Sequence, residues 1–463
     1  MTKSETQVIN ASFRDPDGFL FNRSGDLYRQ INKSGAPAYQ QLMESGLYKK
    51  LVEAQQIVLH REVDIEPVNP NLAYKIIQPV KIPFISYPYE WSFSMLKDAA
   101  LTTLSIQLKA LEAGMILKDA SAYNIQFLNG KPVLIDTLSF EPYVEGKPWV
   151  AYQQFCQHFM APLALMAKVD IRLGQLLRIY IDGIPLDLAA RMLPGRVWTN
   201  PGLMVHIGFH SHAQKSYASK SKGVTKSVTR PIKKDELVVL VESLYNTIYK
   251  LNWKPSGTEW ADYYNQTNYS KGAFDHKRLV LNNWIEKIDP GVVWDLGSNT
   301  GEFSRIASQK GCFTIAFDRD PGAVEKNYQQ IKQEGNQKLL PLIQDLTNPS
   351  PSIGWANFER DSLTNRGPAD LILGLALIHH LTMTNNTPLN KISDYLRTLG
   401  HSLIIEFVPK SDSQVQKMLA NRVDIFPDYT PEGFESAFNK NWEFIETVPL
   451  AESERILYLL KGK

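Results

Sequence analysis

Residues 292–304 read VVWDLGSNTGEFS, the pattern of a strand, a glycine turn and the start of a helix. The apolar residues before the aspartate suit a buried strand, and apolar residues recur at helical spacing from Phe303 onward. Gly297 and Gly301 supply the backbone freedom that a tight turn needs. The spacing D-x-G-x-N-x-G differs from the G-x-G-x-x-G of dinucleotide sites. Asp295 places a carboxylate beside the loop, which suits a ligand with a positively charged amino acid moiety.

A second acidic residue follows at the end of the next apolar run, 313–317. Asp318 lies about 20 residues beyond the glycine loop, where doubly wound nucleotide sites place the acceptor for a ribose diol. The run 339–343 predicts a third strand, and Asp345 and Leu346 follow it. Together with these acidic residues the glycine loop predicts a nucleotide site, which the loop alone does not.

With these residues the sequence resembles the class I S-adenosylmethionine-dependent methyltransferases, whose first motif reads much like DLGSNTG. The resemblance covers roughly residues 255–463 and implies a doubly wound, Rossmann-like sheet with S-adenosylmethionine as cofactor. In that family the position of Asp345 carries an acid or amide for the adenine amino group. The implied cofactor-binding residues are Asp295, Gly297, Asn299, Gly301, Asp318, Asp345 and Leu346.

The apolar run 370–376 predicts a central strand buried on both faces, and His379 and His380 follow it. The carboxyl end of such a strand is where an acceptor meets the cofactor's methyl group. An imidazole titrates near neutrality, so at least one of the two is predicted to act as general base. The alternative is that they orient the loop or cap the next helix.

The remaining strands complete the predicted sheet. The run 402–408 predicts a fifth strand, with Glu406 near its end expected to bind substrate or to pair with Lys410. The runs 442–448 and 455–460 predict the antiparallel pair that closes the sheet in this fold. The predicted class is therefore α/β in the C-terminal half.

In the N-terminal half, Asp119 and Asn124 are spaced D-x-x-x-x-N, and Asp136 ends an apolar strand. This arrangement resembles the protein-kinase-like and aminoglycoside-phosphotransferase-like folds, and it implies an α+β domain. The resemblance implies that Asp119 accepts a hydroxyl proton and that Asn124 and Asp136 bind magnesium. A glycine-rich phosphate loop is missing, and Arg29 stands where a phosphate-pairing lysine is expected. A degenerate domain, an active one and an unrelated α/β region all stay open.

Three histidines, His206, His210 and His212, have the spacing H-x-x-x-H-x-H, which zinc sites can use. No acidic or cysteine partner lies close in sequence. Ordinary helix-end or surface histidines are the favoured interpretation, and we predict no metal site.

Residues 213–234 are rich in Ser, Gly, Lys and Arg and contain almost no large apolar group. They predict a solvated linker between an N-terminal domain, 1–212, and a methyltransferase domain, 235–463. The basic residues also allow a salt-dependent contact with nucleic acid. That contact is not favoured, because no interleaved aromatic residues supply base stacking.

The 463 residues carry a net charge of only +2, which excludes a global basic field for nucleic acid. The two cysteines, Cys156 and Cys312, are far apart in apolar contexts and indicate buried thiols in a reducing compartment. The N-terminus has no signal-peptide core, and no apolar run approaches the roughly 18 residues of a membrane span. We expect a cytoplasmic protein without a membrane span.

The sequence therefore predicts a two-domain methyltransferase that transfers a methyl group from S-adenosylmethionine to an oxygen or nitrogen atom of an unidentified acceptor. The combined pattern also resembles bacterial methyltransferase-like proteins related to host-specific nodulation factors. Two alternatives stay open: a non-catalytic cofactor-binding scaffold, and a magnesium-dependent phosphotransferase acting through the N-terminal domain.

Overall fold

The structure is a computed structural model that describes residues 6–209, 231–255, 270–420 and 423–463. The chain divides into two compact units, Met1–Lys254 with Ile353–Arg360 and Pro255–Ser352 with Asp361–Lys463. Among the described residues, no helix combines the length and the apolar character needed to cross a bilayer.

The first unit combines small antiparallel sheets with helices. Its strands are β1 (Thr6–Val8), β2 (Gly18–Arg23), β3 (Asp26–Asn32), β4 (His60–Val63), β5 (Ala73–Pro79), β6 (Met115–Leu117), β7 (Ile125–Leu128), β8 (Lys131–Leu134) and β9 (Phe140–Pro142). Its α-helices are α1 (Ala36–Glu44), α2 (Leu47–Glu53), α3 (Phe93–Glu112), α4 (Tyr152–Phe155), α5 (Ala161–Lys168), α6 (Leu176–Ile179), α7 (Leu186–Met192), α8 (Pro201–Leu203) and α9 (Lys234–Lys250). Two π-helical turns are Cys156–Met160 and Met204–Phe209.

A five-stranded sheet in the order β1-β2-β3-β5-β4 forms one part of this unit. The β2–β3 hairpin turns at Gly25, which has a φ of 89° that residues with a Cβ rarely adopt. Gly46, with a φ of 73°, separates α1 from α2. Helix α3 is buried along most of its length. Two-stranded pairs β6–β9 and β7–β8 follow it and carry the loop that contains Asp119 and Asn124.

Helix α9 belongs to the first unit, where it lies against α3. The Lys97 ammonium donates to the carbonyl oxygens of Tyr249 and Leu251, each at 2.8 Å, and so ties the end of α9 to α3. The structure thus divides at residue 254, whereas the sequence places the boundary at residue 235. Residues 213–230 of the predicted linker lie outside the described residues.

The second unit is built on one large sheet. Its strands are β10 (Val292–Leu296), β11 (Phe313–Asp318), β12 (Leu339–Ile343), β13 (Ala369–Gly374), β14 (Gly400–Phe407), β15 (Trp442–Pro449) and β16 (Ile456–Gly462). Its α-helices are α10 (Lys271–Ile288), α11 (Glu302–Gln309), α12 (Pro321–Glu334), α13 (Leu389–Leu399), α14 (Ser413–Leu419) and α15 (Pro431–Phe438).

The seven strands run in the order β12-β11-β10-β13-β14-β16-β15. The first five are parallel, and β16 and β15 pair antiparallel at one side. The order reverses between β10 and β13, so the carboxyl ends of these two strands mark a switch point where open α/β sheets bind ligands. The predicted α/β class and the closing antiparallel pair are confirmed.

Helices cover both faces of the sheet. On one face, Trp284 of α10 and Phe303 of α11 pack with Val293, Leu371 and other apolar strand residues. On the other face, the Phe434 ring of α15 lies 5.6 Å from that of Phe407 and 4.8 Å from that of Tyr458. Side chains alternate along each strand, so a run that is apolar throughout buries both faces.

Candidate active site

The loop after β10 has the backbone geometry that its glycines predict. Gly297 has a φ of 77°, Asn299 a φ of 51° and Gly301 a φ of 81°. A Cβ at Gly301 would lie 2.5 Å from the Asn327 side chain, so this position has room only for hydrogen. The backbone N–H groups of Gly297 and Ser298 both donate to the Phe317 carbonyl oxygen at 2.9 Å. These bonds hold the loop close to the end of β11.

The Asp295 carboxylate is buried at the end of β10, where it accepts a hydrogen bond of 2.5 Å from the Ser304 hydroxyl. Burial raises the pKa of this carboxyl to about 7, although the Ser304 bond and the nearby charge of Lys277 lower it. Asp295 therefore stands at the border between its acid and carboxylate forms near neutral pH.

The Asp318 carboxylate lies at the end of β11 and contacts the glycine loop directly. It accepts hydrogen bonds from the backbone N–H groups of Asn299 at 2.7 Å and Asp320 at 2.8 Å. Burial raises its pKa to about 6, against the lowering effect of these two bonds. Each carboxylate oxygen keeps further lone pairs for a ligand donor. The structure thus brings Asp295, the glycine loop and Asp318 together.

At the end of β12 the polar groups divide into two kinds. The Asp345 carboxylate is half-buried and accepts both the backbone N–H and the hydroxyl of Thr347, at 2.9 and 2.7 Å, as a turn-forming aspartate does. Leu346 is also half-buried. The preceding residue, Gln344, is 5% exposed, and its Nε2 atom has no hydrogen-bond partner among the described residues. Its Oε1 atom accepts from the Ser350 hydroxyl at 2.9 Å.

The two predicted histidines follow β13 after a turn at Ala376, which has a φ of 50°. Their ring centroids are 4.2 Å apart. His379 is buried, and its Nδ1 atom has no partner in the described part of the chain. Burial lowers the pKa of His379 well below its usual value and that of His380 to about 4. Both imidazoles are therefore neutral at pH 7.

Glu406 occupies a more central position than its sequence suggests. Its carboxylate accepts the Lys277 ammonium at 2.6 Å and lies 3.4 Å from the Arg455 guanidinium. The predicted pairing with Lys410 is wrong, because the Lys410 ammonium bonds the Asp424 carboxylate at 2.7 Å instead. The short loop after β14 carries Lys410 away from Glu406, while α10 and the residue before β16 approach it.

The N-terminal candidates form a separate polar cluster within the first unit. The Arg29 guanidinium of β3 reaches two carboxylates, that of Asp136 at 2.6 Å and that of Asp15 at 2.8 Å. Asp136 also accepts the Ser139 hydroxyl at 2.9 Å, and Ser139 accepts an Asn124 N–H at 3.3 Å. The Asp119 carboxylate accepts from the Gln154 amide at 2.8 Å.

Of the three spaced histidines, His206 is buried in the first unit. Its Nδ1 atom lies 2.7 Å from the Tyr152 hydroxyl, and its Nε2 atom lies 3.1 Å from the Ser243 hydroxyl. His210 and His212 lie outside the described residues. In the part of the chain that the structure describes, no group of three His, Cys, Asp or Glu side chains is placed to hold a metal ion.

Buried polar side chains gather at the carboxyl edge of the large sheet, and of the four named next only His379 was predicted from the sequence. Buried side-chain atoms that lack a partner within the described ranges include Ser298 Oγ, Gln344 Nε2, His379 Nδ1 and Thr382 Oγ1. Gln344 could have been found, since the resemblance asks for an acid or an amide at this strand end. Lys277 and Arg455 had no such signal, because a long-range ion pair leaves no local spacing in the sequence.

Comparison with known proteins gives one match over nearly the whole chain. Nodulation protein NoeA of Rhizobium meliloti (strain 1021) is 34% identical over 460 residues, which cover 97% of this chain and 95% of that protein. No protein-family model matches the sequence.

Among solved structures, magnesium protoporphyrin IX methyltransferase (ChlM) from Synechocystis PCC 6803 with bound SAH is 17% identical, covering 41% of this chain and 84% of that one with a TM-score of 0.31. The bifunctional kinase-methyltransferase WbdD is 14% identical, covering 47% and 45% of the two chains, also with a TM-score of 0.31. At these TM-scores neither structure assigns a residue or an activity to this chain.

Proposed function

The chain belongs to the family of nodulation protein NoeA, and we propose that it is a methyltransferase that uses S-adenosylmethionine. The observation that carries this proposal is the contact between the glycine loop and the second strand. There the buried Asp318 carboxylate accepts the Asn299 N–H at 2.7 Å, beside a loop with positive φ at Gly297 and Gly301. This geometry presents a carboxylate and a close backbone approach at the switch point of a doubly wound sheet.

The residues at this edge fit the proposed cofactor. The Asp295 carboxylate suits the ammonium of its amino acid moiety, and Asp318 suits the two ribose hydroxyls. The Nε2 atom of Gln344, buried without a partner among the described residues, is a donor for a ring nitrogen of adenine. Ser298 offers a hydroxyl within the loop itself that has no partner in the described part of the chain. Asp345 is also proposed to contact adenine. The hydrogen bonds that its carboxylate accepts from Thr347 compete with this contact.

S-adenosylmethionine supplies an electrophilic methyl group on a sulfonium. The protein's part is to hold the acceptor atom in line with that methyl group, and this positioning supplies much of the rate. An acceptor hydroxyl must also lose a proton as the new bond to carbon forms and the carbon–sulfur bond breaks, and an acceptor ammonium must lose one before its nitrogen can attack. We assign proton acceptance to the neutral imidazole of His379 or His380, whose low pKa keeps a ring nitrogen free at pH 7.

The proposal is tested first by titrating the purified protein with S-adenosylmethionine and S-adenosylhomocysteine in a calorimeter. We expect both to bind with micromolar or tighter affinity, and a protein that binds neither would end the proposal. Incubation with the labelled methyl donor and a cell extract then distinguishes an enzyme from a non-catalytic scaffold, because only an enzyme releases S-adenosylhomocysteine in the presence of an acceptor.

Replacing both His379 and His380 with glutamine tests the proposed base. We expect turnover in the extract assay to fall by 10²-fold or more, the usual contribution of general base catalysis. Affinity for S-adenosylhomocysteine should change by less than about threefold, since neither ring is assigned to cofactor binding. Unchanged turnover in a variant that binds the cofactor normally would remove both histidines from the mechanism.

A second candidate function is a magnesium-dependent phosphotransferase in the first unit, and the order β1-β2-β3-β5-β4 with Asp119, Asn124 and Asp136 after α3 favours it. The ion pair between Arg29 and Asp136 counts against it, because a metal would have to compete for that carboxylate. Thermal shift with ATP and magnesium tests this function. A shift that depends on both and is lost in Asp136→Asn would support it.

The cellular location and the binding partners of the protein are also proposals. Cys156 and Cys312 are both free thiols, and burial raises the pKa of Cys156 to about 12. Buried unpaired thiols support a cytoplasmic location. Nucleic acid, bound through the basic residues 213–234, is a less favoured partner. An affinity for RNA that disappears with added salt would support this contact.

A further inference from the structure

Three donors converge on one buried carboxylate at the carboxyl edge of the sheet. Glu406 Oε2 accepts the Lys277 ammonium at 2.6 Å and the backbone N–H of Ala376 at 2.9 Å, and Oε1 lies 3.4 Å from the Arg455 guanidinium. The Glu406 and Lys277 side chains are 0% and 1% exposed, and that of Arg455 is 3% exposed. The donors come from α10, from the segment after β13 and from the turn before β16.

The charges in this cluster balance. Arg455 also bonds the Asp412 carboxylate at 2.8 Å, so two cations, Lys277 and Arg455, face two carboxylates, Glu406 and Asp412. Charges taken out of water are costly unless they are paired and hydrogen-bonded. Well-packed apolar side chains in place of these four charged ones would stabilise the fold at least as well. Stability therefore does not explain why charged residues occupy these positions.

Ala376 supplies that explanation. Its φ of 50° lies in the left-handed region, which residues with a Cβ seldom occupy. The bond from its N–H to Glu406 holds this conformation in place. The next residue, Leu377, reaches the glycine loop, since its Cδ1 atom lies 3.2 Å from where a Cβ of Gly297 would be. His379 and His380 follow directly, so the turn sets where both rings lie.

We propose that Glu406 is a positioning residue that fixes the Ala376 turn, and through it places Leu377 against the glycine loop and His379 and His380 beside the reacting groups. Lys277 and Arg455 hold the carboxylate in the orientation that accepts the Ala376 N–H. Glu406 itself touches neither cofactor nor acceptor. The inference rests on the proposed methyltransferase function for its purpose, while the link from Glu406 to the histidines stands on the contacts alone.

The decisive variant is the double substitution Lys277→Met with Glu406→Leu, which removes one buried charge of each sign and leaves Arg455 paired with Asp412. Its matched partner is Lys277→Met with Glu406→Gln, in which the glutamine carbonyl oxygen can still accept the Ala376 N–H. Lys410→Met removes an exposed ion pair with Asp424 beyond the same strand and serves as control. Carbon-13-labelled histidine, assigned with His379→Gln and His380→Gln, allows each ring to be titrated by NMR.

Wild-type His379 is expected to stay neutral to well below pH 6.5 because it is buried and faces the charges of His380, Arg455 and Lys277. In the leucine double variant the turn is released, and the His379 midpoint should rise toward the ordinary value of about 6.5. Both double variants lack the charge of Lys277 and differ only in the acceptor for the Ala376 N–H, so the His379 midpoint should be lower in the glutamine double variant than in the leucine double variant. Lys410→Met should titrate as wild type.

The proposal is overturned if the leucine and glutamine double variants give the same His379 midpoint. A second measurement does not depend on any variant folding: the Ala376 amide of the wild-type protein should exchange with solvent as slowly as amides within β14. Exchange at the rate of an open loop would also overturn the proposal. Calorimetry with S-adenosylhomocysteine on the same wild-type sample tests the methyltransferase function separately, so the two failures are distinguishable.

Discussion

A polar cluster in the first unit and the carboxyl edge of the sheet in the second unit differ in how their polar side chains are paired. In the first unit the carboxylates of Asp15 and Asp136 both pair with Arg29, and that of Asp17 pairs with Lys118. At the carboxyl edge of the sheet in the second unit, Gln344 and His379 each bury a nitrogen atom that has no partner within the described residues.

The difference separates a cluster whose charges pair with one another from a site that a ligand would complete. An unsatisfied buried donor or acceptor costs about 1–3 kcal/mol, so several of them at one edge are an unfavourable way to build a core. The same atoms become favourable when a bound molecule satisfies them. Both regions carry aspartates at predicted positions, and only their partners distinguish them.

The largest effect is expected from breaking the paired cluster. Arg29→Met leaves the carboxylates of Asp15 and Asp136, which are 22% and 16% exposed, without their shared cation. Since removing one partner of a largely buried ion pair is strongly destabilising, we expect a loss of about 3 kcal/mol in the free energy of unfolding by urea. Affinity for S-adenosylhomocysteine should not change.

Arg23→Met is the matched control, because Arg23 lies on the neighbouring strand β2 and its hydrogen bonds are exposed. Its effect should stay within about 0.5 kcal/mol. If the two arginine variants unfold at the same urea concentration, the first-unit cluster does not stabilise the fold and the contrast between the units fails.

The next effect tests the ligand side of the comparison. Asp318→Asn weakens two hydrogen-bond acceptors assigned to the ribose, and hydrogen bonds to charged groups contribute about 1.5–3 kcal/mol each. We expect the dissociation constant for S-adenosylhomocysteine to rise by roughly 100-fold in calorimetric titrations. Asp370→Asn is the control, since Asp370 also accepts a backbone N–H, that of Val292 at 2.8 Å, but lies near the amino end of β13. Equal losses in both variants would remove Asp318 from the cofactor site.

Local spacing in the sequence was sufficient to predict most of the second unit. Apolar runs bounded by glycines and aspartates indicated each strand of the large sheet, and the positive φ of Gly297 and Gly301 follows from the turn that they form. The polar environment of Glu406 could not be predicted, because Lys277 and Arg455 approach it from elements far away in the chain. The resemblance to kinase-like folds likewise implies magnesium binding by Asp136, but local spacing does not predict the ion pair between Arg29 and Asp136.

A smaller effect separates two neighbours at the end of β12. The Asp345 carboxylate already accepts two bonds from Thr347, whereas Gln344 buries an unpaired Nε2 atom. Gln344→Leu should weaken binding of S-adenosylhomocysteine by about tenfold, the value of one neutral hydrogen bond in a buried site. The same substitution removes an unsatisfied donor and also the acceptor of the Ser350 hydroxyl, so these two changes oppose each other in the stability of the free protein.

Asp345→Ala provides the comparison for Gln344→Leu. It should lower stability slightly, through loss of the turn, and change affinity for the ligand less than Gln344→Leu does. The reverse order of affinities would make Asp345 the main adenine contact and Gln344 a core residue.

The last effect is that of pH on ligand affinity. It tests whether the carboxyl edge of the second unit binds its ligand through charged carboxylates. Burial raises the carboxyl pKa of Asp295 to about 7 and that of Asp318 to about 6 in the free protein. Because the pKa values are raised, Asp295 takes up a proton as pH falls through 7, and Asp318 does so as pH falls through 6. Each carboxyl must lose this proton before it can accept hydrogen bonds from a ligand. Affinity for S-adenosylhomocysteine should therefore be constant above about pH 7.5 and weaken by at most tenfold per pH unit for each carboxyl below it.

Calorimetry in two buffers of different ionisation enthalpy should detect proton release on binding near pH 6. In Asp318→Asn one of the two titrating groups is absent, so the remaining dependence should centre on pH 7 alone. Proton uptake, or an affinity that improves toward acid pH, would mean that the ligand binds the protonated carboxyls. The carboxyl edge of the second unit would then not be completed by ligand donors to charged carboxylates, and this part of the contrast with the ion-paired cluster of the first unit would fail.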